Sequence, residues 1–415
     1  MKKGVVVAAC AVWIITGASL IWAQGEFPMK YTQFSTSDQN MQYRCMKHVM
    51  KAEHSPSRMK ALPRDFSGRA TYFLAPLNGR QVLMVMDSST PPNLYVDTNG
   101  NDDLSDEKPF TATTDGQRTQ FGPISFSSPG VKEEVPLSIR VETFLRDAVP
   151  QYLTLMPDGF YSSTVQLGGE SYSLALLDAN FDGRYNSPLA LPIPANSLTG
   201  SLSDIIALDT NKDGNFDCVQ RMEIYPLAKM VAVNDVYYSL KIAPTGATVN
   251  LEKVAPPMSS LDVKCPGAEL SLWSDICPTQ TSGSEGKWKL PAGRYMTNSI
   301  RLVKKDSQGA EWVLTGTARE GKLRDIDLRQ KKSAVLKMGP PLVMKVQAYK
   351  FFGNSSGAPG GQNGSQVSVN MSLVGQAAEQ YSARITKDGH NLPPPKFKIL
   401  SAAGKIMESG DFEYG

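Results

Sequence analysis

Apolar and polar residues exchange places at every second position along much of this chain, and a period of two is the period of a β-strand. Val82, Met84 and Met86 alternate with Leu83 and Val85 up to Asp87. Leu137, Ile139 and Val141 interleave with Ser138 and Arg140, and Tyr172, Leu174 and Leu176 with Ser173 and Ala175. Tyr238, Leu240 and Ile242 interleave with Ser239 and Lys241, after which Pro-Thr-Gly246 turns the chain into Val249 and Leu251. Gly, Pro, Asn and Asp separate the runs, as they do between antiparallel strands. The pattern predicts a mainly β, multidomain antiparallel fold. One short helix is expected over residues 39–51, where Met41, Cys45, Val49 and Met50 recur.

A chain of 415 residues has room for two to four domains, each with its own core. Residues 1–24 read as a signal peptide. Lys2 and Lys3 precede an apolar stretch from Val5 to Ile15, and Ala18 and Ala23 offer cleavage points before Gln24. A retained anchor is the alternative, but Thr16, Gly17 and Ser19 interrupt the stretch. Residues 25–65 are expected to form an N-terminal arm with the short helix, and 66–255 a β domain. Residues 256–340 and 341–415 are expected to form two small β-sandwich units of roughly immunoglobulin-like size. Within the last unit, residues 353–364 are a Gly/Ser/Asn/Pro loop with no means of building a core.

Formal net charge is +3, and cleavage removes two lysines and no acid. A nearly neutral chain gives no electrostatic case for nucleic acid or an anionic membrane. No stable membrane span is expected after cleavage. Cys45, Cys218, Cys265 and Cys277 would remain. In an exported chain an even count permits two disulfides. Cys265 with Cys277 is the favoured pair because the two flank one apolar segment. Cys45 and Cys218 form either a second pair or two buried thiols.

Three acidic loops carry the chemistry. Loop one is Asp97-Thr-Asn99-Gly-Asn101-Asp102-Asp103, loop two Asp178-Ala-Asn180-Phe-Asp182-Gly183, and loop three Asp209-Thr-Asn211-Lys-Asp213-Gly214-Asn-Phe-Asp217. Each presents a carboxylate or amide oxygen at every second residue over a tight turn, the arrangement a hard cation such as Ca²⁺ requires. The candidate ligands are Asp209, Asn211, Asp213 and Asp217 in loop three; Asp178, Asn180, Asp182 and Asn186 in loop two; and Asp97, Asn99, Asn101 and Asp103 in loop one. Loop three matches the first nine positions of an EF-hand loop, with Gln220 where the twelfth-position glutamate would stand. Glu223 lies three residues further on and replaces it only if the chain takes a different path. Loop two has no acid near its twelfth position, and in loop one Asp102 takes the place of the turn glycine. The loops follow strand-like runs rather than helices. Without the bidentate twelfth ligand, affinity is expected near 10⁻⁴ to 10⁻³ M, roughly the range of extracellular modules. Turn residues at strand ends are the plainer account of any one loop. Starts 81 and 31 residues apart exclude a fixed-period solenoid.

These phrases resemble a class of exported bacterial proteins, frequent in planctomycete-type bacteria, that carry EF-hand-like or dockerin-like DxNxDG loops on β scaffolds. The resemblance covers residues 66–255 best. It implies calcium-stabilised loops; true dockerins also pair two loops with helices to bind cohesins, and the helices are missing here.

Other candidate sites are weaker. Gly353-Asn-Ser355-Ser-Gly357 fits the G-x-S-x-G pattern but sits in the loop-like segment, without the strand and helix that motif needs. His48 and His54 are six apart, a spacing that does not align two imidazoles on a helix. Trp273, Trp288, Trp312, Tyr295 and Tyr381 can line a sugar platform or fill cores. The function expected is a non-catalytic structural or interaction role at the cell surface or in the periplasm, with a protein or glycan partner. A secreted carbohydrate- or peptide-active hydrolase and a carbohydrate-binding protein are the alternatives.

Overall fold

The computed structural model describes residues 24–35, 38–115, 118–126, 137–144, 150–193, 203–217, 223–281, 286–318, 321–329, 333–351 and 366–412. Each alternating run forms a strand within Arg80–Met86, Leu137–Phe144, Glu170–Leu177, Val236–Ile242 or Thr248–Val254. The chain is mainly β, and its sheets are almost wholly antiparallel. Met258–Val263 beside Ser333–Leu336 is a parallel pair.

Among the described residues six of the seven sheets pack as three face-to-face pairs, and Lys396–Leu400 with Ile406–Asp411 forms a separate two-stranded sheet. In the first pair, the meander Thr71–Leu77, Arg80–Met86, Asn93–Val96 and Phe110–Thr111 lies against a five-stranded sheet that includes Arg118–Phe126, Leu137–Phe144 and Tyr152–Pro157. Phe73, Met84 and Val96 from one sheet meet Phe121, Ile139 and Leu155 from the other. In the second pair, a second meander, Gly159–Leu167, Glu170–Leu177, Ile205–Leu208 and Ile224–Pro226, packs Val165, Leu174 and Leu208 against Val231, Tyr238 and Leu251. The third core joins Leu261, Val263 and Leu290 to Leu270, Tyr295 and Tyr381.

Residues 25–65 are threaded through the first two sandwiches rather than set apart from them. Gln24–Pro28 pairs with Thr248–Val254, Lys30–Gln33 with Gly159–Leu167, and Lys47–Met50 with Tyr152–Pro157. The expected helix over 39–51 is therefore shorter. It runs Gln39–Arg44, and Lys47–Met50 is a strand in which Val49 enters the first core while its neighbours face outward. A buried strand partner outweighs the helical spacing of Met41, Cys45 and Val49. One sheet also spans the boundary expected at residue 340, because Glu311–Thr317 pairs with Gln380–Lys387.

The favoured disulfide is not formed: Cys265 and Cys277 carry free, buried thiols. They sit beyond opposite ends of the strand Ala268–Ser274, which spans roughly 20 Å at the rise of an extended chain. A disulfide needs Cα atoms about 4.4–6.8 Å apart. Cys45 is also a free, buried thiol, and Cys218 lies outside the described residues, as do Ser355 and the whole 353–364 segment. Tyr295 and Tyr381 are buried in the third core, Trp288 packs against it, and Trp273 packs against the second core. Among the described residues no helix is long and apolar enough to cross a membrane.

Candidate metal centre

The three acidic loops share one backbone. Position four is left-handed in each, at Gly100 (φ 80°), Phe181 (φ 62°) and Lys212 (φ 62°), and so is position six, at Asp102 (φ 60°), Gly183 (φ 78°) and Gly214 (φ 83°). Asp102 thus makes the turn that glycine makes in the other two, as short polar residues can. The hydrogen bonds repeat as well. The position-six N–H donates to the Oδ2 of the first aspartate in each loop: Asp102 to Asp97 (3.3 Å), Gly183 to Asp178 (2.8 Å) and Gly214 to Asp209 (3.0 Å). The position-five N–H donates to the third-position Asn Oδ1: Asn101 to Asn99, Asp182 to Asn180, and Asp213 to Asn211.

The fourth residue tells the loops apart. In loop one it is Gly100, and a Cβ there would collide with the guanidinium of Arg80. Arg80 Nη2 donates to the carbonyls of Asp97 (3.3 Å) and Thr98 (2.9 Å). Lys60 Nζ reaches the Asn101 carbonyl, and Arg58 pairs with Asp102. Loop one is therefore closed by side-chain cations. In loop three, Lys212 pairs with Glu170 at 2.7 Å and lies over the Tyr172 ring.

Loops one and three share a second device. Glu107 Oε1 accepts from Thr98 N, Thr98 Oγ1 and Asn99 N. Glu223 Oε1 accepts from Thr210 N, Thr210 Oγ1 and Asn211 N, and its Oε2 accepts from Asp217 N. Glu223 is fully buried. Its carboxylate braces the loop backbone. The repeated Asp-Thr-Asn signalled this pairing, but the distant glutamate was not tied to it by spacing.

Loop two has no such glutamate, and its fourth residue faces inward. Phe181 is buried in the first core, and its carbonyl accepts from Asn78 N at 2.6 Å. Ala179 enters the cluster around Met41 and Cys45, and Tyr185 enters the second core. One loop thus places side chains in three separate clusters. A left-handed phenylalanine costs about 1–2 kcal/mol, which burial of its ring offsets.

Loop two also gains an acid from outside itself. The ladder ends at Leu177 opposite Ile205, and the next residue of each chain segment is an acid, Asp178 on one and Asp204 on the other. Asp178, Asp182 and Asp204 bring ligand oxygens within 4.8 Å of one another. Oxygens sharing one hard cation at about 2.3–2.6 Å are at most about 5 Å apart, so the cluster has the span of a metal site. Among the described residues it is the one group of three or more acidic, Cys or His side chains close enough to hold an ion. Asn180 belongs to the same loop and donates to Asp182 Oδ2. Among the described residues the carboxylates of loops one and three form no such group of three.

The cluster is electrostatically unfinished. Asp204 Oδ2 accepts from Ser187 N at 2.7 Å, but its Oδ1 is buried and has no donor. Burial first, and the charge of Asp182 second, push the Asp178 carboxyl up to about 7. Burial and then Asp178 push Asp204 well above the usual carboxylate range. Lys47 lies within the field of Asp178, although burial lowers its own pKa. Three packed carboxylates need a proton or a cation between them, and these residues can hold a metal ion. In loop three Asp209 Oδ1 is likewise buried without a donor. Comparison with known proteins finds no matching family model, no matching curated protein and no matching solved structure.

Proposed function

We propose that this chain is an exported, calcium-stabilised β protein with a non-catalytic structural or interaction role at the cell surface or in the periplasm. The observation that carries the reading is the donorless Asp204 Oδ1 within the Asp178/Asp182/Asp204 cluster, in a loop that joins three hydrophobic clusters. An all-oxygen donor set on an irregular loop suits Ca²⁺, which accepts six to eight oxygens in flexible geometry. Mg²⁺ demands a tighter octahedron and keeps its waters. The ion's work in this reading is to neutralise the loop and so hold Phe181 and Tyr185 in their separate cores. The signal-like start supports export, and the third sandwich, read as an immunoglobulin-like unit, supports a protein or glycan partner.

Thermal unfolding in millimolar calcium and after removal of divalent ions tests the stabilising role. The reading expects a clearly higher midpoint with calcium. Equal midpoints would sink it.

A further inference from the structure

A cleft of about 310 Å³ opens beside the carboxylate cluster, between loop two and the hairpin of the first sandwich. Lys47, Arg80, Gln81 and Gly79 line one side, and Asn180, Phe181 and Asp182 the other. The volume is at the small end of ligand pockets, which favour domain junctions of this kind. Neither Lys47 nor Arg80 forms an ion pair among the described residues. Lys47 Nζ has a long bond to the Pro76 carbonyl at 3.3 Å, and Arg80 is held by the carbonyls of loop one. Both contacts go to neutral oxygens, so neither charge is taken up in an ion pair, and the field of Asp178 acts on Lys47 across the cleft. Asp182 is shared between the cleft and the cluster.

We infer that this cleft holds a small oxyanion, a carboxylate or sulfate group, between Lys47, Arg80 and a divalent cation seated on Asp178, Asp182 and Asp204. The inference rests on the cation reading of that cluster. Without the ion, Asp182 presents a negative charge to the cleft and repels an anion. A divalent ion cancels two of the cluster's three carboxylate charges, and Lys47 and Arg80 then outweigh the one that is left. Anion and cation therefore bind cooperatively, and each tightens the other by the same factor. A phosphate-free acidic sugar and a sulfate group share this chemistry, and the probes below separate them.

Calorimetry on the whole protein, with glucuronate, sulfate and neutral glucose as probes, tests the inference. Each titration is run in excess calcium and again after divalent ions are stripped on a chelating resin, with calcium content measured on the same samples. We expect glucuronate or sulfate to bind the calcium-loaded protein, glucose not to bind, and removal of calcium to weaken binding at least tenfold. Lys47→Gln should weaken anion binding at least tenfold while leaving calcium content unchanged, and Lys47→Glu should abolish it. Calcium-loaded protein that binds neither anion, or that binds it equally well when stripped, overturns this inference alone. Protein that takes up no calcium overturns the underlying reading as well.

Discussion

Asp178 and Asp204 lie just past the end of one strand ladder, which closes at Leu177 and Ile205; their carboxylate oxygens are within 4.8 Å of each other, and Asp204 Oδ1 receives no hydrogen bond. Two buried carboxylates in that relation repel, and everything special about loop two follows from how the repulsion is relieved. Loop one is held differently, by Arg80 and Lys60 on its carbonyls and by Arg58 on Asp102.

Replacing Asp204 with Asn keeps the acceptor that serves Ser187 N and can turn the donorless oxygen into an N–H aimed at the cluster. Asp204→Asn should lower calcium affinity at least tenfold. In calcium-free buffer it should melt no lower than the parent. Calcium titration followed by calorimetry checks both, and unchanged affinity would remove Asp204 from the site.

The pH dependence has a definite sign. A carboxyl raised to about 7 in the fold, against about 4 when unfolded, makes the folded state bind more protons across that window. Its stabilising contribution is present below the unfolded value and is lost as pH climbs through the folded one. Calcium-free protein should therefore lose stability between about pH 4 and 7, and saturating calcium should remove that loss. Urea midpoints measured across this range decide the matter. A calcium-free profile without the decline would contradict the coupling.

Phe181 connects loop two to the first core. Phe181→Ala should cost about 3–5 kcal/mol, as buried phenylalanines do. The loss should be readable as a lower urea midpoint, and a cost under 1 kcal/mol would mean that loop two does not anchor the first sandwich.

The glutamate braces predict a graded pair. Glu223 is fully buried and holds four donors, so Glu223→Ala should cost at least about 3 kcal/mol, since donors to a buried charge lose their partner. Glu107 is half-buried, and Glu107→Ala should cost roughly 1–2 kcal/mol. Chemical denaturation of both variants would expose an inverted order.

Strands such as Glu170–Leu177 were legible because a sheet with one buried face imposes alternation on every residue. The short strands Gln24–Pro28, Lys30–Gln33 and Lys47–Met50 were not, because four or five edge residues carry too little periodicity to separate them from an arm. The loop backbone was legible too. Position six needs a left-handed residue, and Gly183, Gly214 and Asp102 supply it. Asp204 was not, because its place near Asp178 depends on the register of Ile205–Leu208, which no local pattern sets. The Cys265–Cys277 pairing failed for the same reason. Closeness in sequence says little when a strand of seven residues lies between.

The central claim is that a cation sits on Asp178, Asp182 and Asp204. Its most direct test is elemental analysis of the protein after equilibrium dialysis against calcium, set beside the Asp178→Asn/Asp204→Asn double variant. The account predicts that the variant, still folded by circular dichroism, holds one calcium fewer per chain. Equal calcium in both proteins, or none in either, would contradict it.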